Sequence, residues 1–161
     1  MASMSSGLLL YRVEDGVLEV WIAHMGGPFW ARKDAGAWSI PKGELDDAED
    51  PLGAALREFA EEMGVPAPDA PYELLGRFPQ SRKVVTIFIA EADFAIERVV
   101  SNTFALEWPP RSGRSQEFPE VDRAAWYAVA VAREKLVAGQ RPALDALVEL
   151  LSARGRAFRV G

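Results

Sequence analysis

The sequence predicts an α/β protein, because apolar, β-prone runs alternate with segments that have helical periodicity. These segments are spread over 161 residues, of which 49% are hydrophobic and 26% are charged. A chain of this size and composition can bury one hydrophobic core. We therefore expect a single domain over residues 1–161.

The composition excludes several classes of protein. The net charge of −6 argues against binding to extended nucleic acid, because nonspecific affinity for phosphates comes from lysine and arginine. A small anionic substrate needs only a local basic pocket and stays compatible with this charge. The chain has no cysteine, which rules out disulfides, thiolate zinc sites and a cysteine nucleophile.

The sequence also bears on location and assembly. It has no apolar run near the ~18 residues that span a membrane, and its first residues lack the pattern of a signal peptide. We expect a cytoplasmic protein without a membrane partner. A homodimer stays open, because exposed apolar patches cannot be located from sequence.

The first predicted element is a β-hairpin. Gly7–Val13 and Val17–Met25 are apolar runs separated by Glu14-Asp15-Gly16, and Asp-Gly is a strong hairpin signal. The single histidine, His24, lies near the end of the second strand, where we expect a structural role. One histidine also makes a Ser-His-Asp triad a poor interpretation.

A glycine-flanked loop, Gly26–Gly36, follows the hairpin. It carries aromatic and basic side chains that could stack on a base and hold phosphates: Phe29, Trp30, Arg32 and Lys33. An ordinary surface loop with a buried tryptophan is the open alternative. Trp38–Lys42 then reads as a short strand, and the Lys42 side chain is a candidate phosphate contact or a solvent-exposed lysine.

The next element is a helix predicted over residues 51–63. Asp50 is a favourable N-cap, Pro51 suits the first helical position, and Gly64 suits the left-handed residue that ends a helix. Apolar residues recur at three- and four-residue spacing and form one stripe: Leu52, Ala55, Leu56, Phe59 and Met63. This stripe predicts that the helix packs on a sheet.

The opposite face of this helix is acidic. Glu58, Glu61 and Glu62 stand at i, i+3 and i+4, so their carboxylates lie together and repel one another. Carboxylates are hard ligands, and a hard cation such as Mg²⁺ prefers one or two of them together with water and substrate phosphates. For an arbitrary acidic segment, a solvated helix face would be the better interpretation.

The spacing of the whole stretch favours the metal site. Residues 43–65 fit the pattern GX5EX7REUXEEXGU, where U is apolar, at every fixed position: Gly43, Glu49, Arg57, Glu58, Phe59, Glu61, Glu62, Gly64 and Val65. With each residue type at about 5–7% usage, a chance match in this chain is on the order of 10⁻⁷. The stretch resembles the signature of the Nudix hydrolases.

The resemblance implies both a fold and an activity. The fold is an α/β/α sandwich with a mixed β-sheet between helices, which the order of predicted elements fits. The activity is metal-dependent hydrolysis of a phosphoanhydride bond in a nucleoside diphosphate linked to another moiety. A Nudix domain that senses nucleotides or binds partners without hydrolysis is the alternative.

Further strands and helices follow the signature. Tyr72–Phe78 and Lys83–Phe94 are predicted strands, the second of them central, and Arg82 and Lys83 are candidate phosphate contacts. Residues 108–114 form a predicted loop. Ala128–Gly139 reads as a short helix, and Arg141–Arg154 as an amphipathic one with Leu144, Leu147, Val148 and Leu151 on its apolar face.

The resemblance also assigns roles to residues. Glu58, Glu61 and Glu62 would bind Mg²⁺ or Mn²⁺, joined by the main-chain carbonyl of Lys42. Arg57 would orient a neighbouring glutamate, and Glu49 would support the loop and helix. Family members often use an additional glutamate about six residues before a late tryptophan. Glu120 stands six before Trp126, Glu117 competes with it, and either could be a surface acid.

The substrate is predicted less narrowly than the reaction. The general base stays open among Glu62, Glu58 and Glu120. The segment WSIPKGE resembles hydrolases of dinucleoside polyphosphates, diphosphoinositol phosphates and RNA ends. We expect a small nucleotide, with a dinucleoside polyphosphate first and a nucleoside triphosphate second.

Overall fold

A seven-stranded mixed sheet organises the chain. The structure is a computed structural model that describes residues 3–161. Its strands are β1 (Ser3–Glu14), β2 (Val17–Met25), β3 (Trp38–Ser39), β4 (Lys42–Glu44), β5 (Glu73–Gln80), β6 (Lys83–Glu91), β7 (Thr103–Glu107), β8 (Ser115–Pro119) and β9 (Val121–Ala128). The helices are α1 (Pro51–Met63), α2 (Val129–Lys135) and α3 (Arg141–Ala153), with a 3₁₀ turn at Ala138–Gln140.

Strand β1 lies at the middle of the sheet. The strand order is β3-β2-β1-β6-β5, with β4 also paired to β1 and β9 paired to β2. The pairing of β1 with β6 is parallel, and the pairings of β1 with β2 and β4 are antiparallel. The prediction that Lys83–Phe94 forms the central strand is therefore wrong, since β6 lies between β1 and β5 and ends at Glu91. The polar residues at the start of β1 interrupt the apolar pattern, so the sequence did not predict the full length of this strand.

The hairpin predicted at the start of the chain is present. Asp15 and Gly16 both have positive φ, 51° and 78°, and Glu14 pairs with Val17 across them. Two such residues give the turn the twist that matches its flanking strands. This is why Asp-Gly predicted the connection correctly.

Helices cover both faces of the sheet. On one face, α1 packs Phe59 and Met63 against Leu8 and Leu10 of β1. On the other face, α3 packs Leu144 and Leu147 against a cluster that contains Leu9 and Ile22. The predicted mixed sheet between helices is therefore confirmed, and the alternation of side chains along β1 supplies both cores.

The predicted signature helix has the bounds that its capping residues indicated. The Asp50 side chain accepts a hydrogen bond from Gly53 N at 3.0 Å. Gly64 ends the helix with φ 80°, and its N–H donates to the carbonyl of Ala60. Local capping chemistry thus fixes both ends of α1.

Three other segments differ from their predictions. Trp38–Lys42 is not one strand but two, β3 and β4, because Pro41 has no N–H to donate and Ile40 N instead donates to the Gln140 side chain. Ala128–Gly139 contains α2 and part of the 3₁₀ turn. Residues 108–114 form the predicted loop, but the flanking antiparallel pair β7–β8 was not predicted.

The length and hydropathy of the helices show whether any of them could cross a membrane. Among residues 3–161, none of the helices is both long enough and apolar enough to span a bilayer.

Candidate active site

The three acids of α1 differ in exposure. Glu62 is 7% exposed, whereas the side chains of Glu58 and Glu61 are 14% and 36% exposed. The apolar stripe of α1 packs on the sheet, so the acidic face runs from a buried edge, where Glu62 lies, to a solvent-exposed edge, where Glu61 lies. The site is therefore graded, with one nearly buried carboxylate and two more accessible ones.

Arg57 connects the acids to the loop before the helix. Its Nε and one terminal nitrogen donate to the two oxygens of Glu49 at 2.8 and 2.9 Å. Its other terminal nitrogen donates to Glu58 Oε1 at 2.9 Å and to both oxygens of Glu61 at 3.3 Å. The guanidinium also donates to the carbonyl of Glu44 at 3.1 Å. Arg57 thus contacts both the loop before the helix and two of the three acids.

Gly43 makes room for Glu58. A Cβ atom at position 43 would lie 2.0 Å from Cδ of Glu58, which is inside van der Waals contact. The carboxylate therefore rests directly against the backbone of β4. The closeness of Glu58, rather than a need for unusual backbone dihedral angles, explains the glycine at the first position of the signature.

Glu62 is held by the backbone of β4. The N–H of Lys42 donates to Glu62 Oε2 at 3.1 Å. Burial raises the pKa of Glu62 well above its usual value, the Lys42 hydrogen bond opposes this, and the negative charges of Glu58 and Glu120 raise the pKa further. Burial also raises the pKa of Glu58, against the opposing effect of Arg57.

Glu120 comes from a distant part of the chain and reaches the same place. Its N–H donates to the carbonyl of Asn102 at 2.9 Å, and the N–H of Asn102 donates to the carbonyl of Glu61 at 2.9 Å. Desolvation and the nearby charge of Glu61 raise the pKa of Glu120. Glu117, the competing candidate, lies in β8 opposite Ala105 and is exposed. The structure therefore brings Glu120, and not Glu117, to the acids of α1.

A small cleft of about 180 Å³ lies at this meeting point. It is lined by residues of β2, β3, β4, α1 and the start of β9: Ala23, Met25, Ser39, Lys42, Glu62, Glu120 and Val121. Two carboxylates and one lysine converge on an otherwise apolar wall. Such a cleft can hold an anionic group only if additional positive charge accompanies it.

The donor set suits a hard divalent cation. Within residues 3–161, no three His, Cys, Asp or Glu side chains are grouped closely enough to hold a metal ion as they stand, and Glu58 and Glu61 both contact Arg57. However, Glu58, Glu62 and Glu120 all have raised pKa values, so their shared surroundings favour loss of negative charge. Carboxylate oxygens are the ligands that Mg²⁺ and Mn²⁺ prefer.

Two lysines flank the acids. Burial lowers the pKa of Lys42, and the positive charge of Lys83 lowers it further, while Glu62 and Glu58 oppose the shift. Lys83 begins β6 and is half-buried, whereas Arg82 is exposed in the turn before it. The main chain of Lys42 contacts Glu62 through its N–H, and metal binding by its carbonyl stays a prediction. An anion bound beside Lys42 and Lys83 would reduce the repulsion between their positive charges.

The aromatic and basic loop after β2 is placed differently. Trp30 packs against the core on the α3 face, and Lys33 Nζ lies 5.4 Å from the centre of its ring. Arg32 and Lys33 are exposed. Trp30, Arg32 and Lys33 are not among the described residues that line the cleft with Glu62. These three side chains therefore lie outside the cleft lining, and a substrate contact through them stays a prediction.

His24 has the structural role expected of it. The side chain is fully buried, with Nδ1 2.8 Å from Asp122 Oδ1 and Nε2 2.7 Å from the carbonyl of Lys33. It ties the loop to the start of β9. His24 therefore positions two segments that border the cleft, and its own side chain does not line the cleft.

Sequence reasoning missed one aromatic contact near the site. Phe29 and Trp108 meet edge to face, with ring centres 5.5 Å apart and planes at 83°. Trp108 follows β7, whose alternating apolar residues in FALEW were the signal that could have indicated a strand.

Comparisons with known proteins agree with this geometry. The NUDIX domain family matches residues 4–147. RNA pyrophosphohydrolase of Cereibacter sphaeroides is 44% identical over 26% of this chain and 34% of its own length. Nudix hydrolase 25 of Arabidopsis thaliana is 57% identical over 19% of this chain and 17% of its own length. The chain thus spans about a third or less of these curated relatives.

Solved structures resemble the whole chain in fold. An Ap4A hydrolase of C. elegans, in a binary complex, has a TM-score of 0.62 at 20% identity and covers 94% of this chain and 98% of its own. The NUDIX domain of Shewanella oneidensis NrtR, complexed with ADP ribose, has a TM-score of 0.63 at 18% identity, with coverages of 94% and 89%. Since the family match extends over most of the chain, the protein belongs to the Nudix family.

Proposed function

We propose that the protein is a metal-dependent hydrolase of phosphoanhydride bonds in nucleotides. The observation that carries the proposal is Glu62, a nearly buried carboxylate fixed by the Lys42 amide beside Glu58 and Glu120. Burying one carboxylate beside two others is costly unless a cation or a proton compensates its charge. A structural role alone would not call for this arrangement. Residues 1–161 would act as one domain, with α3 packed under the same sheet.

Mg²⁺ or Mn²⁺ would be held by carboxylates of the signature. Glu58, Glu61 and Glu62 supply ligands, with Glu120 and the main-chain carbonyl of Lys42 as further ones. When bound, such an ion neutralises the charge of the pyrophosphate and lowers the pKa of a water molecule. Glu58 and Glu61 would exchange part of their contact with Arg57 for this role. Arg57 then keeps its two bonds to Glu49 and so stays in place.

The remaining residues orient the substrate and accept the proton. Lys42 and Lys83 meet the phosphates, because a phosphate would relieve their mutual repulsion. The proton of the attacking water passes to Glu62, Glu58 or Glu120. Glu62 suits this role because the Lys42 amide fixes one of its oxygens and leaves the other for the proton.

A dinucleoside polyphosphate is the proposed substrate, with a nucleoside triphosphate second. The likeness in fold to the C. elegans Ap4A hydrolase supports the first choice. The local identity to RNA pyrophosphohydrolases favours a second candidate function, removal of pyrophosphate from an RNA 5′ end. All three substrates present the same phosphoanhydride chain to the acids, and they differ in the group beyond it.

The test measures phosphate and pyrophosphate release with Mg²⁺ or Mn²⁺ from diadenosine tetraphosphate, nucleoside triphosphates and a short 5′-triphosphorylated RNA. Wild type is compared with Glu62→Gln, Glu120→Gln and the matched control Glu117→Gln. We expect Glu62→Gln to lose roughly a hundredfold or more of the rate. Glu120→Gln should lose activity and Glu117→Gln should keep it.

Different outcomes separate the alternatives. Preference for RNA over the free nucleotides would favour the second candidate function. Metal-dependent nucleotide binding without turnover of any substrate would refute the hydrolase and support a sensing module. Equal effects of Glu120→Gln and Glu117→Gln would remove Glu120 from the site.

A further inference from the structure

The antiparallel pair β7–β8 stands apart from the main sheet and has one apolar side. Phe104 and Leu106 of β7 alternate with Trp108, the next residue after the strand, and all three are half-buried, as is Phe118, which pairs with Phe104. The residues between them, Ala105 and Glu107, are exposed. A two-stranded hairpin is marginal on its own, so its apolar side needs a surface to contact.

This hairpin is joined directly to the catalytic acids. Asn102, just before β7, links Glu61 and Glu120 through two main-chain hydrogen bonds of 2.9 Å. Glu120 follows β8, and its carbonyl accepts a bond from Gly26 N at 2.9 Å. The residues just before and just after the hairpin, Asn102 and Glu120, therefore both lie beside the acids of the cleft.

The loop after β2 runs along the same hairpin. A Cβ at Gly26 would lie 2.0 Å from the carbonyl oxygen of Pro119, and one at Gly27 would lie 2.7 Å from the Phe104 ring. Phe29 follows three residues after Gly26, so their Cα atoms are at most about 11 Å apart. Phe29, which contacts Trp108, thus lies at most about 11 Å from the residue that hydrogen-bonds to Glu120.

The Phe29 ring remains open to solvent. Phe29 is 57% exposed although its ring contacts Trp108 at 5.5 Å between centres. An edge-to-face pair uses the edge of one ring and a face of the other, which leaves aromatic surface free for a flat ligand. By contrast, Trp21, Phe94 and Trp126 pack against one another within the core on the α1 face.

We propose that Phe29 and Trp108 form a platform on which the nucleobase of the substrate stacks. The proposal rests on the hydrolase function above, because it assigns the group that lies beyond the cleaved phosphoanhydride. Every base has an aromatic face, so stacking holds the nucleoside without strict base specificity. Arg111 and Arg114 are exposed in the loop that joins β7 to β8.

The experiment measures equilibrium binding, so that it does not depend on turnover. Two non-hydrolysable probes share one methylene-bridged diphosphate: α,β-methylene-ADP, which carries adenosine, and methylenediphosphonate, which does not. Binding of each is measured with Mg²⁺ by calorimetry, for wild type, Trp108→Ala and Phe29→Ala. Val131→Ala, which shortens an exposed apolar side chain of α2, serves as the control.

Both aromatic variants should raise the Kd of α,β-methylene-ADP by about tenfold or more and leave that of methylenediphosphonate unchanged. Val131→Ala should change neither. The proposal is overturned if both variants bind the two probes as wild type does, or weaken both equally. Phe29 belongs to a separate loop, so a distorted hairpin in Trp108→Ala would not decide the result alone.

The two proposals can fail separately. If wild type hydrolyses none of the nucleotides but the adenosine-dependent affinity still falls in the variants, the platform stands and the hydrolase does not. If hydrolysis occurs and both variants keep full affinity for the nucleoside probe, only the platform is refuted.

Discussion

At the scale of single residues, the site depends on close contact between a backbone and a carboxylate. Glu58 rests against Gly43, and Glu62 accepts a hydrogen bond from the neighbouring Lys42 amide. The short strand β4 therefore serves as the support for two acids of α1. Adding even one methyl group at Gly43 should disturb one of these contacts.

We predict that Gly43→Ala inactivates the protein more than it destabilises it. The new Cβ would lie 2.0 Å from Cδ of Glu58, which is the far end of a flexible side chain and can move aside. The fold should be kept, but a displacement of about 1 Å in a catalytic group can cost on the order of 10² in rate. The measurement is kcat/KM beside the thermal midpoint Tm.

Gly53→Ala is the matched control for this change. Gly53 lies within α1, where a Cβ would meet only Asp50 side-chain atoms at 3.7 and 3.9 Å. Alanine favours a helix over glycine by about 0.5–1 kcal/mol, so Tm should rise slightly and activity should persist. Wild-type activity in Gly43→Ala would show that Glu58 does not need its place against β4.

At the scale of elements, local chemistry explains which segments the sequence predicts well. The ends of α1 follow from Asp50 and Gly64, and the turn between β1 and β2 follows from Asp15-Gly16. The pair β7–β8 gave only the weak alternation in FALEW, since its strands are short and seven of their ten residues are exposed. Its partners, Gly27 and Phe29, lie far away in sequence.

The N-cap of α1 gives a prediction at this scale. Asp50→Ala removes the acceptor of the Gly53 N–H and should cost about 1 kcal/mol of unfolding free energy. For a chain of this length, that corresponds to a decrease in Tm of roughly 2–4 °C. The measurement is thermal melting followed by circular dichroism.

Asp47→Ala provides the comparison for the cap. Asp47 is an exposed acid in the same loop, so it removes the same charge without touching the cap bond. Its Tm should stay close to that of wild type. Equal losses in the two variants would mean that charge, and not the hydrogen bond to Gly53, accounts for the effect.

At the scale of the whole molecule, the sequence predicts the layers better than the site. Apolar residues on alternate sides of β1 and the stripe on α1 suffice for a sheet between helices. The acids of α1 follow from spacing alone. Lys42 and Glu120 were predicted only through the family resemblance, and Asn102 was not predicted, because all three reach the acids through tertiary packing that no local pattern encodes. The choice between Glu120 and Glu117 needed the end of β8 to be located.

The stability of the whole molecule in acid should depend on one contact of the signature. Hydrogen bonds from Arg57 lower the pKa of Glu49 from 4.5 to about 2. A carboxylate with a lowered pKa stabilises the folded state fully above its unfolded pKa, and this contribution is lost as the pH falls toward the folded pKa. The window therefore lies between about pH 4.5 and pH 2.

We predict that Glu49→Gln lowers Tm by a constant amount above about pH 5 and by progressively less below pH 4.5. The measurement is the difference in Tm between wild type and variant from pH 7 to pH 3 at constant ionic strength. Other carboxyl groups titrate in both proteins and cancel in this difference. In an Arg57→Gln background the dependence on pH should weaken, because the main donor that lowers the pKa of Glu49 is gone and only the Asp46 N–H still donates to it. A difference that stays constant to pH 3 would contradict a stabilising pair between Glu49 and Arg57.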